Sequence, residues 1–149
     1  MTTSLREQIV RNVETILKQR ADPGFRLVTR EPFEVTELAI TQFPAVLINF
    51  LTETRTSVSM GVPGVGRRTG TIVLDIRGFV RGNEIDRLRT DLVSAVEDAL
   101  DQDRYLDLRT DGVLDSQVTE ITTEPRMNPL GEVRIRFEVN YNYLRGSQA

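Results

Sequence analysis

Apolar and polar residues alternate along the end of the chain, from Val133 to Tyr143. Val133, Ile135, Phe137 and the following odd positions are apolar, whereas arginine, glutamate and asparagine occupy the positions between them. Successive side chains of a strand point to opposite faces of its sheet, so this pattern predicts a strand with one buried and one polar face. A slip of one residue would expose every apolar group, and the pattern therefore also fixes the register.

Two other segments repeat apolar residues at helical spacing. The first covers about residues 4–20, where Ser4 and Glu7 fit a capping box and Asp22-Pro23-Gly24 ends the helix. The second covers about residues 84–101, and Asn83 with Asp86 is predicted to cap it.

A nearly continuous apolar run at 45–53 predicts a strand buried on both faces, and the alternation at 68–81 predicts a second long strand. The glycine-rich segment 54–67 breaks both patterns, so the two strands are expected to form a long hairpin. The remaining predicted elements are a short strand at 25–29, an irregular crossing at 30–43, a loop at 104–114 and a strand at 117–124.

Two separate helices and strands joined by hairpins are typical of the α+β class. We expect a single, mostly antiparallel β-sheet that contains the long hairpin, with both helices packed on one face. A chain of 149 residues is also the usual size of one domain, here residues 1–149.

The composition excludes most kinds of catalytic site. The chain has neither cysteine nor histidine, and Lys18 is its only lysine, so thiolate, Ser-His-Asp and most zinc sites are excluded. The GVPGVG segment at 61–66 lacks the Gly-Lys-Ser/Thr of a phosphate loop, and the aspartates after Asp101 do not match calcium-loop spacing. We therefore expect no enzyme, no catalytic residue, no cofactor and no metal.

Charge is unevenly distributed around a net charge of −3. Residues 1–83 have an excess of three positive charges, whereas residues 84–115 have an excess of six negative charges. The acidic balance disfavours general binding of nucleic acid, and the two regions could meet across a contact between subunits. With no secretion signal and no apolar run of membrane-spanning length, the sequence indicates a protein made and assembled in the cytoplasm, without membrane contact.

Two groups of residues are candidate interaction surfaces. The glycine-rich hairpin tip is either flexible or ordered against a neighbouring subunit or tube, through Arg55, Met60, Gly61, Pro63, Gly64, Arg67 and Arg68. The polar sheet face is either solvated or faces a subunit or a channel lumen, through Asp75, Arg77, Arg134, Arg136 and Glu138.

The order of these segments resembles a known family. A helix of the LREQIVRNVETILK type precedes a PAVLINF strand and a glycine-bearing loop; a TGTIVLDIRGFVRG strand, the helix IDRLRTDLVSAVEDALDQD and a closing VRIRFEVNYNY strand follow. This layout resembles the tail terminator proteins of tailed bacteriophages, which are also called tail completion or neck proteins. The resemblance covers nearly the whole chain and concerns architecture, since no catalytic motif defines the family.

The resemblance implies a structural protein of the virion tail or neck, assembled in the host cytoplasm. Such a protein closes as a ring, usually hexameric, on the last ring of tail tube protein, stops tube polymerisation and provides a docking surface for the head connector. DNA would pass through without specific binding. Other roles remain open: another head–tail joining protein (a connector, a stopper or a tail-tube subunit), or a small ligand-binding domain or enzyme.

Overall fold

Five strands and two helices form the part of the chain that the computed structural model describes, which is residues 4–20, 24–57 and 67–144. Their order along the chain is α1 (Leu5–Gln19), β1 (Leu27–Thr29), β2 (Ala45–Ser57), β3 (Arg67–Arg81), α2 (Ile85–Leu100), β4 (Val113–Glu124) and β5 (Leu130–Leu144). The strands form one sheet with the order β1-β2-β3-β5-β4. Only β1 and β2 are parallel among these pairs, so the predicted α+β class with a mostly antiparallel sheet is confirmed.

The predicted hairpin is present, but its strands are longer than the sequence indicated. Pairing between β2 and β3 runs from Ala45 opposite Phe79 to Ser57 opposite Arg68. The prediction that the strand breaks at residue 54 is therefore wrong, because backbone pairing with β3 holds residues 54–57 in the sheet. Pairing with β5 likewise starts β4 at Val113 instead of residue 117.

Both helices pack on the same face of the sheet, as predicted. Leu5, Ile9 and Val13 of α1 are buried in one core with Leu92 and Val96 of α2. The apolar positions of β5 complete this core, together with those that β2 and β3 turn toward the helices: Val46, Ile48, Ile72, Leu74, Ile76, Val80, Val133, Ile135, Phe137, Val139 and Tyr141.

A smaller core lies on the opposite face, where the segment between β1 and β2 crosses the sheet. Ala45 and Leu47 of β2 are buried there with Phe79 of β3 and Val35 of the crossing segment. That segment has two 3-10 turns, at Val35–Glu37 and Ile40–Gln42. This covering explains why both faces of β2 are buried over residues 45–48, as the sequence indicated. The prediction of two buried faces is wrong for the rest of the run to residue 53, because Phe50, Leu51 and Thr52 lie beyond the crossing segment and are exposed.

The helix starts follow the predictions only in part. Ser4 caps α1 by accepting a 3.2 Å hydrogen bond from the backbone N–H of Glu7. The Glu7 carboxylate does not complete a capping box but accepts two hydrogen bonds from Arg30. The predicted Asn83 cap is wrong, because α2 begins one residue later, with Glu84 as an N-cap that makes no side-chain capping bond.

Neither of the helices described above is both long enough and apolar enough to cross a bilayer.

Candidate interaction surfaces

The five residues predicted for the polar sheet face are brought together by the pairing of β3 and β5. Asp75 lies opposite Arg136, and Arg77 lies opposite Arg134. Glu138 lies opposite Val73 on the same face. Their positions alternate with the core residues of both strands, so all five side chains lie on the face away from the helices.

A buried carboxylate organises one end of this face. Glu132 is 1% exposed and accepts hydrogen bonds from Arg77 at 3.0–3.1 Å and from Nε of Arg126 at 2.8 Å. Arg134 adds a contact between Nε and the same carboxylate at 3.6 Å. A carboxylate removed from water is stable only when cations and hydrogen bonds compensate it, and three arginines provide that compensation.

Aromatic rings support the arginines around Glu132. The guanidinium of Arg77 lies 5.3 Å from the centre of the Phe79 ring, and that of Arg126 lies 5.7 Å from it. Phe33 contacts Phe79 edge-on, with 5.3 Å between ring centres. The two arginines are thus held between a carboxylate and an aromatic ring, which fixes their charges in position.

The other end of the polar face is more open. Asp75 and Arg134 are 3.9 Å apart, Arg136 and Glu138 are 3.6 Å apart, and a shallow depression of about 180 Å³ lies among Asp75, Glu120, Arg134 and Arg136. Burial raises the pKa of Asp75 above its usual value, although the charges of Arg134 and Arg77 oppose this effect. Within the five predicted residues, Asp75 pairs with Arg134 and Arg136 pairs with Glu138, whereas Arg77 pairs with Glu132. The Arg134 and Arg136 side chains are 42% and 45% exposed.

Two of the predicted hairpin residues, Arg55 and Arg68, lie on the other side of the sheet. The guanidinium of Arg55 is paired with Glu53 at 3.0 Å and lies 4.7 Å from the centre of the Tyr143 ring. Arg68 occupies the position opposite Tyr143 on the adjacent strand. Arg55 and Arg68 therefore share the helix-bearing face, so the structure does not bring them together with the Asp75–Glu138 group.

Arg6 connects this region to α1. Its guanidinium donates two hydrogen bonds to the Glu53 carboxylate, at 2.9 and 2.7 Å. Burial raises the pKa of Glu53, whereas the hydrogen bond and charge of Arg6 and the charge of Arg55 lower it. The lowering is larger, so the pKa of Glu53 lies below its usual value. The Tyr141 hydroxyl is buried nearby without a hydrogen bond of good geometry.

The predicted contacts Met60, Gly61, Pro63 and Gly64 lie outside the described residues. Arg67 is the first residue of β3, and its side chain also lies outside the described part of the chain.

The sequence did not indicate an apolar groove of about 290 Å³ beside α2. Leu88, Asp91, Leu92 and Ala95 form its helical wall, and the opposite wall comes from the segment that enters β2. Its other lining residues are Gly24, Phe25, Ile40, Phe43, Pro44, Val80 and Arg81. Ile40, an apolar residue outside any regular pattern of the sequence, lines this groove and is 68% exposed.

The sequence analysis also missed Glu132 and Arg126. Glu132 could have been found from strand parity, because it is one position outside the alternating series and shares the face of Arg134. Arg126 lies in the turn before β5, and no periodicity marks a turn residue. In residues 4–20, 24–57 and 67–144, no three His, Cys, Asp or Glu side chains are placed to hold a metal ion.

Comparisons of this chain with protein-family models and with curated proteins found no match.

Proposed function

We propose that the protein is a structural subunit of a bacteriophage tail that acts as a tail terminator. Copies close as a ring, usually a hexamer in the family that the sequence resembles, on the end of the tail tube. The ring stops tube polymerisation and offers the head connector a docking surface. The protein acts by shape and surface complementarity in the virion and makes or breaks no covalent bond.

The observation that supports assembly most directly is the outer half of β2. This strand stays in the sheet through Ser57, yet Leu51, Thr52, Thr54, Arg55 and Thr56 are all exposed. β1 pairs only with residues 45–47, so in the described part of the chain no strand pairs with the outer edge of β2 beyond them. A long exposed strand edge is a site for association with another chain unless it is protected.

The polar sheet face supports the same proposal. Its arginines and carboxylates are held by each other and by Phe79, so they form a rigid surface at little further entropic cost when a partner docks. Such a surface suits a contact with tube, connector or sister subunit, or the lining of a passage. With a net charge of −3, DNA would pass without being held, because affinity for phosphate comes from unpaired basic groups.

Electron microscopy of a phage that lacks this protein tests the proposal. A terminator predicts tail tubes of uncontrolled length, and supplying the protein in trans restores uniform tails and joined heads. Tubes of normal length that lack heads would instead identify a connector or stopper. Normal infectious particles would refute a structural role in the tail.

The apolar groove beside α2 favours one alternative, a small ligand-binding domain. Its volume of about 290 Å³ lies at the lower end of the range for ligand pockets. Native mass spectrometry of the protein purified from its own host distinguishes the two functions. A bound small molecule of constant mass would support the alternative, and a ligand-free oligomer would support the ring.

A further inference from the structure

We propose that the apolar groove beside α2 binds the outer part of β2 from a second copy of this chain. The binding element, here called the β2 patch, consists of Phe50, Glu53 and Arg55 with Arg6 of α1. The inference deepens the proposed function, on which it rests, by naming the two surfaces that join ring subunits.

The β2 patch presents an apolar side chain among fixed charges. Phe50 lies opposite Leu74 in the sheet, immediately before the irregularity at Leu51, and is 43% exposed. Glu53 and Arg55 follow on the same face, and Arg6 holds Glu53 in place. Burying an exposed phenylalanine gives about 1.5–3 kcal/mol, so this residue gains when a partner covers it.

The groove has the opposite character. Its walls are mainly apolar, from residues such as Phe43 and Leu92, and its volume of about 290 Å³ has room for an aromatic side chain. Asp91 stands at its edge with a side chain that is 67% exposed. The groove therefore offers an apolar interior for Phe50 and a carboxylate at the margin for a flanking arginine.

Charge beyond the two contacts is complementary as well. The β2 patch and the neighbouring Arg68 on the same face carry three arginines and one glutamate, namely Arg6, Arg55 and Arg68 with Glu53. The exposed side of α2 and its two caps carries five acidic residues and one basic residue, namely Glu84, Asp86, Asp91, Asp98 and Asp101 with Arg87. Opposite signs of excess charge favour a single register between the surfaces.

The positions of the two surfaces suit a ring. The groove lies at the Val80 end of β3, whereas Arg55 of the β2 patch lies opposite Gly70, ten residues earlier along that strand. At about 3.3 Å per residue, Phe50 (opposite Leu74) and Arg55 are roughly 20 and 33 Å from that end of β3 on one molecule. When two copies join through these two different surfaces, one groove and one β2 patch stay free at the ends of the pair. Further copies can therefore be added until the rotation between subunits closes the ring.

A second copy fits better than nucleic acid. Arg6 and Arg55 already hold Glu53, and Arg30 holds Glu7, so their charges are partly neutralised before any phosphate arrives. The chain also contains the matching apolar and acidic surface, which would repel phosphate.

Charge reversal with complementation tests the proposal. One variant carries Arg55→Glu and Arg68→Glu, and the other carries Asp91→Arg and Asp101→Arg. We expect wild type to assemble beyond a dimer, each variant alone to stay monomeric, and their mixture to assemble again in alternation. The mass is measured by analytical ultracentrifugation, and circular dichroism checks that both variants are folded.

A matched pair of apolar substitutions tests the groove itself. Phe50→Ser removes the proposed contact and should weaken assembly by about tenfold or more. Leu114→Ser changes a side chain of β4 that is also 43% exposed and lies outside both surfaces, so it should leave the dissociation constant unchanged. Equal effects of the two substitutions would refute docking of Phe50.

A wild-type chain that stays monomeric at high concentration would overturn the proposal, and so would a mixture of variants that fails to assemble. An Arg55→Glu, Arg68→Glu variant that assembles normally but no longer binds DNA would also overturn it. Assembly in solution is independent of the phage phenotype. Normal tails without the protein would therefore refute the terminator function even if these surfaces join the subunits.

Discussion

The aromatic ring of Tyr141 lies across the backbone of Gly70, its direct neighbour on the adjacent strand. On its other side, Gly70 lies opposite Arg55 of β2. The Tyr141 side chain therefore extends across β3 toward the charged residues of the β2 patch. A Cβ atom at Gly70 would overlap the ring and hydroxyl of Tyr141. Glycine at position 70 is therefore required by close approach, in a strand where it would otherwise cost stability.

Gly70→Ala should lower the free energy of unfolding by about 1–3 kcal/mol, because Tyr141 must leave its place or the strands must separate locally. Urea denaturation measures the change. Thr56→Ala, at an exposed position of β2, serves as the control and should stay within about 0.5 kcal/mol of wild type. Similar effects of both substitutions would mean that the Tyr141 ring relocates without cost.

Glu132 and Glu124 lie opposite each other on β5 and β4 and provide a matched test of the buried network. Glu132→Gln leaves three arginines around a neutral amide and should destabilise the protein by about 3 kcal/mol or more. The Glu124 side chain is 39% exposed, and within the described residues its only ion pair is with Arg134, at 3.7 Å, so Glu124→Gln should cost less than about 1 kcal/mol. Chemical denaturation compares the two, and equal losses would show that Glu132 is not the centre of the network.

Phe137 tests the orientation of the sheet. It is 1% exposed in the core between β5 and the helices, so Phe137→Asp would bury an unpaired charge and should abolish folding. Phe137→Leu keeps the site apolar and should leave a folded protein that melts at a lower temperature. Circular dichroism during heating compares them, and a normally melting aspartate variant would contradict the assigned face of β5.

Much of the fold could be predicted because its strongest elements have clear periods. The alternation from Val133 to Tyr143 predicted both the strand and its buried face, and the spacing of Leu5, Ile9 and Val13 predicted α1 with its core side. These patterns are local consequences of burying one face against a single core.

The errors occurred where distant residues decide the structure. Residues 54–56 are exposed, and the sequence predicted that residues 54–57 leave the sheet, but pairing with residues 68–71 keeps them in it. The face of Asp75 and Arg134 was predicted correctly, whereas its buried centre at Glu132 depends on Arg126 from a turn. The groove beside α2 depends on where the crossing segment packs, and no local pattern encodes that position.

Asp75 and Glu53 should shift stability with pH in opposite directions. The folded-state pKa of Asp75 is raised by burial, so the carboxyl favours the folded state below its unfolded value of about 3.8, and that contribution is lost as pH rises through the folded pKa. Asp75→Asn should therefore be more stable than wild type at pH 7, and the difference should disappear toward pH 3.

The pKa of Glu53 is lowered, so Glu53→Gln should be less stable at pH 7 and should match wild type once the pH falls below the folded pKa of Glu53. Denaturation between pH 3 and pH 7 measures both, and an Asp75→Asn variant less stable than wild type at pH 7 would show that burial does not outweigh the nearby arginines at Asp75.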